Sequence, residues 1–86
     1  MSIKHQSHPE IIKRLKRANG HLSAILKMFE EGRPCADLAQ QLDAVESAVS
    51  SAKRELIHDH IEHCLDGPEA DTKTAMRELK QLAKYL

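Results

Sequence analysis

Residues 58–64 read HDHIEHC, which gathers His58, His60, His63 and Cys64 into one short stretch. His60 and Cys64 are four residues apart, so on a helix they project side by side from one face, an arrangement that offers two ligands to a metal. A second thiol, Cys35, stands well upstream. Two thiolates and an imidazole form a soft ligand set that suits Cu(I), and Zn(II) with a fourth ligand. His58 and His63 project elsewhere on such a helix and are read as solvated.

Three segments must position these groups, and all repeat apolar residues with helical spacing. Helices are predicted at about 8–31, 34–65 and 72–86. Ser7-His8-Pro9-Glu10 has the form of a capping box, with Pro9 in the first turn, where its missing N–H is harmless. Ile11, Leu15, Ala18, Leu22, Ile25 and Phe29 follow at alternating steps of four and three, and Gly32 suits the left-handed position past the helix end. Leu38, Leu42, Val45, Val49, Ala52 and Leu56 repeat the rhythm in the second helix. Past Leu56, one face is taken over by Ile57, His60, Ile61, Cys64 and Leu65. Asp66-Gly67-Pro68 ends that helix, and Ala75, Leu79, Leu82 and Leu86 share one side of the third.

At ~1.5 Å per residue, a continuous second helix separates Cys35 from His60 by roughly 37 Å. One chain cannot close a site over that distance. A second copy packed antiparallel brings Cys35 of one protomer beside His60 and Cys64 of the other, forming two symmetric sites across the interface. The long second helix also overhangs the first and needs a partner. The expected fold is all-α: a three-helix protomer whose long helices pair antiparallel in a four-helix-bundle dimer, with a dimer-of-dimers tetramer beyond it.

The 86 residues carry 13 Lys+Arg and 13 Asp+Glu, and they are read as one helical domain spanning 1–86. One Phe, one Tyr and no Trp leave almost nothing for stacking single-stranded nucleic acid. No apolar run approaches a membrane span, and MSIKHQSHPE has no apolar signal core, so a cytoplasmic chain is expected. Charge is uneven despite its zero sum. Lys13, Arg14, Lys16 and Arg17 cluster on the first helix, where they suit phosphate, whereas the second helix is mainly acidic.

Three stretches, KRLKRANGHL (13–22), RPCADLAQQLDAVESAV (33–49) and LIHDHIEHCL (56–65), together resemble the CsoR/RcnR/FrmR family of small all-helical bacterial repressors. The resemblance runs in order through nearly the whole chain. It implies a disc-shaped homotetramer that binds operator DNA without a helix-turn-helix and is released by an inducer, opening expression of an efflux or detoxification gene. By resemblance, Cys35, His60 and Cys64 match the family's Cys-His-Cys copper pattern. Arg14 and its basic neighbours Lys13, Lys16 and Arg17 match operator-binding positions, and Lys53 and Arg54 fall near a second basic position. Glu78 matches a carboxylate that ends a hydrogen-bond relay from the ligand His. That relay usually includes a Tyr just before the first Cys, and here the position is Pro34.

Nickel and cobalt members add an N-terminal nitrogen ligand. Ile3 occupies the ungapped position, but His5 and His8 are nearby, and either would complete an N2S2 set suited to Ni(II). Formaldehyde sensors of the family carry an N-terminal Pro where this chain has Ser2, and persulfide sensors lack the His that stands here at 60. The expected function is a metal-responsive repressor that binds DNA in the apo form and is released by Cu(I), with Ni(II) or Co(II) as the alternative inducer. A formaldehyde or persulfide sensor and a structural helical adaptor are the further alternatives. A thiol enzyme built on Cys35 or Cys64 with His60 as base has no oxyanion hole to draw on, so no enzymatic activity is expected.

Overall fold

The computed structural model describes residues 8–66 and 72–86, with the side chains of 64–66 and 72 outside the description. Three helices follow in order: α1 (His8–Glu30), α2 (Cys35–Asp66) and α3 (Thr72–Ala83). Ser7, the expected capping residue, lies outside the described residues. α1 and α2 form an antiparallel hairpin, since Arg14 of α1 meets Glu55 and His21 meets Gln41 of α2. α3 lies at the far end of α2, where Glu78 meets His60.

The hairpin is closed by backbone chemistry legible in the chain. Gly32 adopts φ +69°, and its N–H donates to Phe29 O at 3.1 Å while Arg33 N–H donates to Met28 O at 3.1 Å. This pair of bonds is a Schellman motif, which satisfies carbonyls that the helix end would leave bare. Pro34 follows, and its carbonyl accepts from the N–H groups of Asp37 (3.0 Å) and Leu38 (3.1 Å), opening α2 with Cys35 in its first turn. A Cβ at residue 32 would meet nothing within 4 Å, so the only obstacle to a side chain there is the left-handed backbone. Gly32→Ala should therefore lose about 1 kcal/mol through local strain alone, read as a lower urea midpoint with an unchanged slope.

The 4-3 apolar rhythm divides between two directions. On α1, Ile11, Ala18 and Ile25 are no more than 8% exposed, and on α2, Leu38 and Ala52 are no more than 7% exposed with Val45 half-buried between them. These residues, seven apart within each helix, form the contact between α1 and α2, and Ile57 extends it. The alternate members, Leu15, Leu22 and Phe29 on α1 and Leu42, Val49 and Leu56 on α2, remain 40–53% exposed. A heptad seam serving two helices would bury both sets. Here one set faces within the chain and the other faces out.

The protomer's shape agrees with that division. Its extents are 55 × 23 × 16 Å and its radius of gyration is 17.3 Å, against the ~12 Å expected of a compact chain this long. α3 ends three residues earlier than expected. Tyr85 N–H bonds Leu82 O and Leu86 N–H bonds Ala83 O, tight i−3 turns that take over from the α ladder. Leu86 is consequently 66% exposed and does not share the half-buried side formed by Ala75, Leu79 and Leu82.

Candidate metal centre and DNA-facing groove

α2 runs unbroken for 32 residues, so Cys35 and His60 sit near opposite ends of one straight element, roughly 37 Å apart along its axis. Cys35 is a free, exposed thiol in the first turn, where the partial positive charge of the helix end lies beside the sulfur. Cys64 continues the helix four residues after His60, but its side chain falls outside the description. Among the described residues, no three His, Cys, Asp or Glu side chains converge on a common point.

His60 is half-buried, and its Nε2 lies 3.1 Å from Oε2 of Glu78. With Nε2–H donating to that carboxylate, the tautomer is fixed and Nδ1 is the nitrogen suited to a metal. Carboxylates hold metal-ligating histidines in this way, orienting the ring and raising its basicity. A cleft beside the pair is lined by His60, Glu78, Gln81, Leu82, Lys84 and Tyr85. His63 is exposed, with Nε2 4.0 Å from Asp59 Oδ1, and His58 is exposed as well.

Of the N-terminal histidines, His5 lies outside the described residues and His8 opens α1, half-buried. The antiparallel hairpin sets His8 at the His60 end of α2. It is six residues from Arg14 in the same direction that His60 is five residues from Arg14's partner Glu55.

The expected basic residues are not equivalent. A groove of about 480 Å³ between α1 and α2 is lined by Arg14, Arg17, Ala18, His21, Ala48 and Ser51. Arg54 joins its rim by donating from Nη2 to Ser51 Oγ at 3.4 Å. Lys13 and Lys16 are exposed on α1 outside this groove, and Lys53 lines a shallow surface of α2 with Glu46 and Val49. Sequence reasoning missed Glu55, whose Oε2 accepts from Arg14 Nη1 at 2.6 Å, and the bond of 2.6 Å between His21 and Gln41. The Arg14–Glu55 pair is 45% and 36% exposed, which limits its contribution to about 0–1 kcal/mol. Its consequence is positional, since it holds the Arg14 side chain at the groove. The antiparallel register that makes these pairs was the one available signal.

The sequence profile of the metal-sensitive transcriptional repressor family matches residues 7–86. The chain belongs to this family. Members are transcriptional repressors, not enzymes. The copper-sensing transcriptional repressor CsoR of Mycobacterium ulcerans (strain Agy99) is 37% identical over 76 residues, covering 86% of this chain; the chain spans 65% of that relative's length. The copper-sensing repressor RicR of Mycobacterium tuberculosis (strain ATCC 25618 / H37Rv) is 37% identical over 76 residues, covering 81% of this chain and 79% of RicR. CsoR of Bacillus subtilis (strain 168) is 33% identical over 88 residues, covering 96% of this chain and 87% of its own. Among solved structures, the nickel-responsive transcriptional regulator InrS superposes over 100% of both chains with a TM-score of 0.82 at 27% identity. The all-α fold of this family member is thus the fold of InrS. Among its described residues no helix is long and apolar enough to cross a membrane.

Proposed function

We propose that this family member is a cytoplasmic metal-responsive repressor that holds operator DNA in the apo state and lets go when Cu(I) binds, opening expression of a metal efflux or resistance gene. The observation that carries the reading is the unbroken α2, with a thiol near one end and a carboxylate-oriented His60 near the other. Only a second, antiparallel copy can join Cys35 to His60 and Cys64. The outward apolar register supplies the surface for that copy. Two copies bring six half-exposed apolar side chains each, worth on the order of 10 kcal/mol before the costs of association. Pairs of such dimers would form the tetramer.

In this assembly, Cys35, His60 and Cys64 are the ligands, and Glu78 orients His60. The bound metal would supply a cross-link between helices of two subunits. Arg14 and Arg17 in the groove, with Lys13, Lys16, Lys53 and Arg54 around it, contact phosphates. A metal that prefers one interhelical geometry shifts the assembly away from the geometry that fits DNA, a coupling of typically ~1–3 kcal/mol.

Ni(II) or Co(II) is the second reading. It is favoured by the place of His8 at the His60 end of the same protomer, where it would complete an N2S2 set, and by the likeness to nickel-responsive InrS. His5 is the other candidate for that fourth position. The deciding experiment is fluorescence anisotropy of the reduced protein on its own promoter DNA, metal-free and then with Cu(I) or Ni(II). Release by one ion names the inducer. Binding undisturbed by any metal would replace metal with an aldehyde or persulfide signal, and no DNA binding would leave a structural adaptor.

The same assay checks the division of roles. Arg14→Ala should weaken DNA binding and lower the steepness of its salt dependence by about 0.9 for each phosphate that is no longer neutralised. Metal affinity should stay nearly unchanged.

A further inference from the structure

α3 carries its positive charge in a single stripe. At 100° per residue, Lys73, Arg77 and Lys80 fall within an arc of about 60°. All three are exposed, whereas Ala75, Leu79 and Leu82, half-buried, lie on the opposite side. Lys73, Met76, Arg77 and Lys80 line a shallow groove of about 450 Å³ along this outer face. The one acid within α3, Glu78, sits off the stripe with its carboxylate on His60.

Such a stripe works against the helix that carries it. Lys73 to Arg77 and Arg77 to Lys80 are like-charge pairs at spacings of four and three, each of which destabilises a helix. A face that merely met water would be better served by mixed signs. A polyanion repays the arrangement. From Lys73 to Lys80 the stripe extends ~10 Å, about three phosphate-to-phosphate rises along one DNA strand.

We propose that α3 lays Lys73, Arg77 and Lys80 along the phosphodiester backbone of operator DNA, as a contact surface separate from the α1–α2 groove. The proposal rests on the repressor reading above, which names DNA as the partner. Each copy in the assembly repeats the stripe, so a net charge of zero does not oppose it.

The test is the double variant Arg77→Gln/Lys80→Gln, titrated metal-free on promoter DNA at several salt concentrations beside the parent and Arg14→Ala. Expected is at least a tenfold loss of affinity at physiological salt and a log–log salt slope shallower by about 0.9 for every phosphate left without its cation. Helicity and metal affinity should match the parent, and Arg77→Lys/Lys80→Arg should restore binding. Arg77→Gln alone should lower the slope in the same direction and covers the case of a misfolded double variant. A parent that binds DNA and is weakened by Arg14→Ala, with both Gln variants indistinguishable from it, overturns the α3 surface and leaves the repressor reading standing. Unchanged DNA slopes together with stripe-dependent binding to phosphatidylglycerol vesicles would likewise overturn it, in favour of a membrane surface. A parent that binds no DNA overturns both.

Discussion

Cys35→Ala is expected to leave the reduced apo protein on its promoter DNA with nearly unchanged affinity and to hold it there when metal is added. The thiol is exposed in the first turn of α2 and packs into no core, so its removal opens no cavity and costs little stability. On the proposed pairing, its loss takes away the ligand that comes from the other subunit. What remains, His60 and Cys64, lies on a single helix, and a metal held there no longer ties two chains together. Metal affinity should fall by more than the roughly 10–100-fold that loss of an orienting outer partner costs. Ultraviolet thiolate-to-metal absorbance checks the affinity, and anisotropy checks retention on DNA. Release of the variant by metal with the parent's dose response would remove Cys35 from the site.

Val49→Glu should have the second large effect, on assembly. Val49 is 45% exposed in the protomer and belongs to the outward register with Leu42 and Leu56. It also lies close to the midpoint between Cys35 and the His60–Cys64 pair, so on the proposed pairing the two-fold axis would pass beside it. A glutamate there meets its own copy across the axis, and two unpaired carboxylates enter an apolar interface at a cost of several kcal/mol. Sedimentation should then report a species near the 9.7 kDa protomer, with metal binding and DNA binding lost together. The same charge at an exposed site off the register, such as Gln40→Glu, should leave the assembly intact. A Val49→Glu protein that keeps its assembled mass would exclude the antiparallel pairing.

The helices and the turn between them were written locally. Gly32 and Pro34 announce the Schellman ending and the opening of α2, and the 4-3 rhythm announces both long helices. That rhythm does not say which of its members face which neighbour. Period alone gives Ile11 and Leu15 the same standing, yet one is buried against α2 and the other is exposed, because the direction of burial depends on where α2 returns. The candidate site divides in the same way. His60 and Cys64 share a face by spacing, and Cys35 joins them through the length of α2. Glu78, 18 residues from His60, came from likeness to known repressors, since no periodicity links α3 to α2. Arg14 and Glu55 are 41 residues apart, and only the register of the hairpin brings them together. The early end of α3 was hidden because Leu86 fits the apolar period while its backbone has already left the helix.

The outward half of the seam makes the abundance of the chain a second input to the switch. On the proposed pairing, every complete metal site needs two polypeptides. Below the dissociation constant of the pair, complete sites fall with the square of chain concentration, so halving its synthesis leaves about a quarter of them. The threshold at which the cell responds to metal is then set jointly by ligand chemistry and by how strongly this gene is expressed.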